Sequence, residues 1–184
     1  MVCFNETKLQ SPLYLGGFWS YQTLQQRSGG CWNASRYNTR LQLMKSLGTY
    51  LCWTQLQLGN NYIQVLNCYL QPGEQQNLKE RAMRVAEIVR DIIRQDPNTP
   101  IVVCGDFNNH MTYIVEQLAP LNFTSAVSPS TETHRQGGHL DQVFARNMEI
   151  GEVVLSDGYS DEVSDHKCVK VTLKLQDPKL ATGN

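Results

Sequence analysis

The decapeptide Ile101–His110, IVVCGDFNNH, limits the folds open to this chain more than any other segment. Its four leading apolar residues read as a buried strand. Directly after Gly105 come Asp106, Asn108 and Asn109, a carboxylate and two amides. Such groups are costly to bury without partners. A core strand can end this way only where something polar or charged meets it.

The flanking sequence is that of layered sheets with few helices. MVCF at residues 1–4 reads as the end of a strand, and the Gly-, Gln- and aromatic-rich stretch from Lys8 to Ser46 suggests short strands joined by turns. Thr49 to Leu58 and Tyr62 to Leu70 read as strands joined at GNN, a hairpin turn. After Pro72-Gly73 the apolar residues Leu78, Ala82, Val85, Val89, Ile92 and Ile93 recur at helical spacing, which predicts a helix from Glu74 to Gln95. A shorter helix is expected over Met111 to Leu118. Strands are expected near Phe123–Val127, His139–Ala145, Glu152–Leu155 and Cys168–Leu175. Many strands with two interspersed helices fit layered sheets covered by helices, an α/β (α+β) class. At 184 residues one domain is expected, over residues 1–175, with a polar tail at 176–184.

Composition excludes several classes. No apolar run approaches the roughly 18 residues of a membrane helix, and Met1 is not followed by a signal-peptide pattern. The expectation is an intracellular protein, nuclear or cytoplasmic and not secreted. The six cysteines are widely spaced without a C-x-x-C pair, which points to free thiols rather than disulfides or zinc. Net charge is −1, but no acidic residue lies between Glu6 and Glu74, whereas Lys8, Arg27, Arg36, Arg40 and Lys45 are basic. From Glu74 onward acidic residues outnumber basic ones, 16 to 11. Such asymmetry suits a first third that faces a polyanion, while the overall charge argues against strong indiscriminate DNA binding.

Polar residues recur at strand ends. Glu6 follows VCF, Asn67 and Tyr69 lie in NCYLQP, and Asp141 sits within HLDQVF. Asp165 and His166 immediately precede the last strand, in VSDHKC. A lone strand-end aspartate is usually a turn former or cap, and a lone histidine a satisfied core or surface group. The case for chemistry rests on their joint occurrence and order.

That order resembles the endonuclease/exonuclease/phosphatase family, metal-dependent phosphodiesterases with the fold of pancreatic deoxyribonuclease and the abasic-site endonucleases. The resemblance runs through NETKL (5–9), NCYLQP (67–72), GDFNNH (105–110), THRQGGHLDQVF (133–144) and SDHKCVKV (164–171). ETKL and TH-x-x-GG-x-LDxVF look most like the endonuclease domains of non-LTR retrotransposons. The resemblance implies a four-layer α/β sandwich of two packed, mostly antiparallel sheets flanked by helices. It implies a DNA-nicking endonuclease that uses Mg²⁺ or Mn²⁺ and has no membrane partner; the chain is then a fragment, a truncated gene product, or one piece of a larger polyprotein with a reverse transcriptase. Glu6 and Asp165 are the implied metal-side residues, and an all-oxygen site suits these hard cations. Asp106 would position or deprotonate the attacking water, and Asn108 would hold the water or the phosphate. His166 would donate to a phosphate oxygen or act as acid/base, oriented by Asp141. Tyr69 and Asn67 would contact the phosphate, with His134 as a further substrate contact. His110 and His139 read as structural or solvent-exposed.

Members of the family carry an Asn-bearing strand some thirty residues before the glutamate, whereas five residues precede Glu6 here. The expectation is a metal site one ligand short, beside a sheet edge lacking its neighbour. Asn5, alternating with Glu6 along a strand, should point to the opposite face and so should not substitute. Two other readings follow from the sequence: a catalytically degenerate binding module of the same fold, and a phosphoesterase acting on a lipid or small phosphate ester.

Overall fold

A computed structural model describes residues 1–7, 11, 13–23, 29–72, 75–157 and 164–176, with only the backbone of Gln75 and Gln76. Lys8, Arg27, Glu74 and the tail from residue 177 lie outside the described residues. Among the described residues no helix is long and apolar enough to cross a membrane.

The centre is a six-stranded sheet in the order β4 (Arg40–Leu47), β5 (Leu51–Leu58), β6 (Asn61–Tyr69), β7 (Ile101–Asp106), β9 (Asp141–Arg146) and β8 (Thr124–Ser125). Strand β7 runs parallel to β6 and antiparallel to β9. A parallel neighbour requires a crossover, which helix α1 (Gln75–Gln95) supplies. The apolar run of β7 follows from its central position. Ile101 and Val103 face the core beneath α1 and α2 (Met111–Leu118), while Val102 and Cys104 face the opposite core.

Helix α1 buries Leu78, Ala82, Val85, Val89 and Ile92 of the stripe its periodicity predicts, with Ile93 partly buried, against Leu51, Leu66, Ile101 and Phe144. Each of the leucine, valine and isoleucine side chains contributes about 1.5–3 kcal/mol on burial. Asp96-Pro97-Asn98 ends the helix, with Asp96 Oδ1 accepting from the Asn98 N–H at 2.9 Å.

Two smaller antiparallel sheets cover the other face: β1 (Val2–Asn5), β3 (Cys31–Arg36) and β2 (Phe18–Gln22) in the order β1-β3-β2, and the pair β10 (Met148–Ser156) and β11 (Cys168–Leu175). Leu41, Leu56, Ile63, Val65 and Ala145 of the large sheet meet Cys3, Tyr21, Ile150 and Leu173 in this second core. The fold is thus a mixed α/β sandwich of antiparallel-rich sheets with few helices. Among the described residues both helices pack on the six-stranded sheet.

The expected elements form with small shifts. Strand β9 starts at Asp141 rather than His139, because Thr133 Oγ1 takes the N–H groups of Leu140 and Asp141, each at 3.0 Å. Strand β8 is two residues long, and β10 extends over nine residues where four were expected.

Candidate active site

The parallel and antiparallel registers place Tyr69, Asp106 and Asp141 opposite one another on three adjacent strands. One cross-strand row therefore ends in a phenol and two carboxylates. Gly105 makes the row possible. It has φ +138°, and a Cβ there would lie 1.9 Å from the Cys68 carbonyl oxygen. Only a residue without a side chain lets β7 approach β6 so closely just before Asp106. Behind the row, Phe107 is fully buried and packs edge to face on Phe144, with centroids 5.6 Å apart.

Asp106 is 4% exposed. Its Oδ1 accepts the Asn108 backbone N–H at 2.9 Å, and its Oδ2 accepts the Asn108 amide at 3.0 Å. Asn108 adopts φ +45°, a conformation asparagine tolerates better than most residues, and also donates to the Leu70 carbonyl at 3.2 Å. Asn108 thus holds the Asp106 carboxylate in place, in addition to any role toward water or phosphate.

His166 faces this row. Its Nδ1 donates to Asp141 Oδ2 at 2.8 Å, while Nε2 stands 3.9 Å from Asp106 Oδ2. That gap is too long for a hydrogen bond, so Nε2 and Oδ2 remain available to a third group. The hydrogen bond and charge of Asp141 raise the His166 imidazole to about 9 against the opposing effect of burial, so it is a cation at neutral pH. Burial and the charge of Asp141 raise Asp106 to about 6. Asn108 and His166 restrain the rise and Glu6 adds to it.

Glu6 follows the last residue of β1 and adopts φ +51°, in the left-handed region. It forms a hydrogen bond with the Tyr69 hydroxyl. Burial, the charges of Glu6 and Asp106, and that bond all push the phenol upward. The kink stops strand alternation, which corrects the expected placement of Asn5 on the opposite face. In the amide orientation that its neighbours satisfy, Asn5 Oδ1 accepts the Asp106 N–H at 3.0 Å and Nδ2 donates to Asn67 Oδ1 at 2.6 Å.

Three other expected site residues have tertiary partners of their own. Asn67 is fully buried, and its amide donates to the carbonyls of Phe4 (3.0 Å) and Trp32 (3.4 Å), so it ties strands together. His134 accepts the Gln136 N–H at Nδ1, which leaves its proton on Nε2, bonded to Asp165 Oδ2 at 3.1 Å. Its ring packs edge to face on His166 at 4.8 Å and so props His166. Asp165 is held by His134. Burial would raise its carboxyl, yet hydrogen bonds from its own backbone and His134 keep it below the ordinary value. Among the described residues, close three-donor clusters are His134–Asp165–His166 and Asp106–Asp141–His166, and neither includes Glu6. The two residues expected on the metal side are thus not in one cluster.

Sequence reasoning missed Thr133. This buried residue joins the two loops of the site, taking the two β9 N–H groups and accepting the Lys167 N–H at its carbonyl at 2.7 Å. The TH pair of THRQGGHLDQVF was its only signal. His110 is buried and accounted for structurally, with Nδ1 3.1 Å from the Phe107 carbonyl and Nε2 unpartnered. His139 is half-buried, its Nδ1 3.0 Å from the Thr131 carbonyl.

A divalent cation fits the residues present. Glu6, Tyr69 and Asp106 offer oxygen donors; burial first, and then the charges of Asp141 and Glu6, push Asp106 upward, so carboxylate charge there is poorly compensated. Hard cations with oxygen ligands answer that imbalance.

The family model described as Endonuclease/Exonuclease/phosphatase family matches residues 1–166. The chain belongs to that family. Similar solved structures include NExo, a 3′ phosphatase from Neisseria bound to a product DNA hairpin (15% identity, TM-score 0.69, covering 94% of this chain and 88% of that one). The endonuclease domain of TRAS1, a telomere-specific non-LTR retrotransposon, is 11% identical with TM-score 0.64, covering 88% and 80%. A mannosyl-6-phosphatase of Bacteroides thetaiotaomicron is 14% identical with TM-score 0.64, covering 86% and 78%. No curated protein sequence matches the chain. Family membership and the donor-rich site support a metal-dependent phosphoesterase.

Proposed function

We propose that the chain is a Mg²⁺- or Mn²⁺-dependent endonuclease that nicks DNA and leaves a 3′-hydroxyl. The observation that carries this reading is the pairing of His166 Nε2 and Asp106 Oδ2 across 3.9 Å, each oriented by its own partner and neither bonded to the other. A carboxylate and an imidazolium so placed can take a proton from water and offer one to a phosphate oxygen.

Glu6, with Asp106 and Tyr69 beside it, would hold the cation, which supplies charge neutralisation at the phosphate and the leaving oxygen. Asp106, ionised above pH about 6, accepts the proton of the attacking water. Asn108 fixes the direction of that carboxylate. His166 donates its Nε2–H to a non-bridging oxygen, and Asp141 keeps the ring protonated and aligned. Tyr69 presents its hydroxyl at the same corner, and Asp165 and His134 buttress the His166 loop. DNA as substrate is supported by the exposed Arg36, Arg40 and Lys45 in the acid-free first third. The ETKL and TH-x-x-GG-x-LDxVF motifs and the likeness to the TRAS1 domain favour a retrotransposon-type nuclease, working beside a reverse transcriptase of the same polyprotein in the nucleus or cytoplasm.

Supercoiled plasmid incubated with Mg²⁺, Mn²⁺ or EDTA tests this reading, alongside Asp106→Asn and His166→Ala. Nicking that needs the metal and is lost in both variants is expected. Metal-dependent cleavage surviving in both variants would refute the assignment. Hydrolysis of phosphomonoesters with plasmid left intact would move the substrate to small phosphate esters.

A further inference from the structure

Two sheets, not one, supply the acidic corner. Glu6 extends from β1 of the three-stranded sheet, whereas Asp106 ends β7 of the six-stranded sheet. Their carboxylates repel, and Glu6 contributes to the upward push on Asp106. Something must hold these two strand ends together when no cation lies between the charges.

We propose that Asn5 is the positioning residue that does so, setting the offset between Glu6 and Asp106 at which a divalent cation is bound. This inference rests on the functional reading above. One side chain reaches three backbone or side-chain partners on the opposing sheet. Oδ1 accepts the Asp106 N–H at 3.0 Å, and Nδ2 donates to Asn67 Oδ1 at 2.6 Å and to the Cys68 carbonyl at 3.2 Å. Asn67 reciprocates, donating back across the seam to the Phe4 and Trp32 carbonyls. The result is a pair of amides, Asn67 fully buried and Asn5 half-buried, each completing the other beside Glu6 and Asp106. Buried networks satisfied in this way fix one geometry, because any displacement leaves polar atoms without partners. The left-handed kink at Glu6 then directs its carboxylate to Tyr69, beside Asp106.

The seam contains a natural control. Asn33, on β3, also crosses between the sheets, donating to the Cys52 carbonyl at 3.1 Å and Thr54 Oγ1 at 3.0 Å. It is fully buried and takes no part in the Glu6–Asp106 corner. Loosening the seam in general should therefore show in Asn33→Ala as well as in Asn5→Ala, whereas loss of the carboxylate offset should show only in the latter.

Thermal unfolding titrated with MnCl₂ and MgCl₂ distinguishes these effects, since a ligand bound only by the folded state stabilises it in proportion to the logarithm of one plus its concentration over Kd. Wild type should be stabilised by the metal, and Glu6→Gln should lose that response. Asn5→Ala should need at least roughly tenfold more metal for the same rise in melting temperature, a change of about 1.4 kcal/mol in binding. Asn33→Ala should melt lower without metal yet keep the wild-type metal dependence. If Asn5→Ala does not fold, Asn5→Ser, which keeps a hydroxyl acceptor, should show the same shift in metal requirement. An Asn5 variant with wild-type metal dependence overturns the role given to Asn5 while leaving the functional reading standing. No metal response in folded wild type overturns the functional reading itself, and the role of Asn5 with it.

Discussion

Replacing Asp141 by Asn tests the electrostatics of the site most directly. Asp141 makes the 2.8 Å hydrogen bond to His166 Nδ1 and is the first cause of its rise from 6.5 to about 9. That rise corresponds to about 3 kcal/mol in favour of the imidazolium. Without the carboxylate charge, His166 should return toward 6.5. At pH 7.5 roughly a tenth of the rings would then be protonated, against nearly all in wild type. Cleavage should fall about tenfold at pH 7.5 from protonation alone, and the deficit should shrink toward pH 6. The charge of Asp141 also raises Asp106, so the acid limb, near 6 in wild type, should move lower together with the alkaline limb near 9. The assay is the pH dependence of kcat/KM on a plasmid or oligonucleotide at saturating Mg²⁺, with an NMR titration of the His166 ring. The same linkage predicts stability: because folding raises His166, its contribution is full below 6.5 and is lost as pH rises through about 9. An alkaline limb that stays near 9 in Asp141→Asn would refute the assignment of Asp141 as the source of the imidazolium.

Gly105→Ala should cost about 2–6 kcal/mol, combining roughly 1–3 kcal/mol of backbone strain with about 1–3 kcal/mol of overpacking where the new Cβ meets the Cys68 carbonyl. Denaturant unfolding measures this, and a near-neutral effect would disprove the close approach of β6 and β7. His110, which burial lowers to about 4, is held neutral in the fold, so stability should fall as pH drops from 6.5 toward 4. Urea melts at pH 7 and pH 4.5 should show that His110→Phe flattens this dependence, and an unchanged slope would locate the acid sensitivity elsewhere.

Much of the fold was legible because its elements bury one face or two. The α1 stripe and the alternation of β11 carry period and burial together, and both formed within a residue of expectation. The Asp106–Asp141–His166 group was legible from motif order, and the backbone register explains why these positions meet. What stayed hidden depends on backbone conformations that residue type does not announce. A glutamate at φ +51° has no sequence signature, so the side on which Asn5 lies could not be inferred from strand alternation. Asn67 and His134 sit beside the site in sequence and in space. Their hydrogen-bonding atoms, however, are taken by Phe4, Trp32, Gln136 and Asp165, partners distant in sequence except for Gln136. Polar type near a motif signals proximity to a site. The direction of the polar atoms comes only from tertiary partners.

The parallel pairing of β6 with β7 bears on when, during folding, the chain acquires its chemistry. Tyr69 and Asp106 become neighbours only after the α1 crossover has closed, and Asn108 reaches Leu70 across 38 residues. His166 then arrives from 25 residues beyond Asp141, and Asp165 from 31 beyond His134. Contacts of such separation form late, because loop closure must precede them. The hairpin of β5 and β6, or α1 on its own, can form locally without assembling any of the reactive row. A nascent or partly unfolded chain therefore does not yet hold Tyr69, Asp106, Asp141 and His166 together; the row exists only in the completed sandwich.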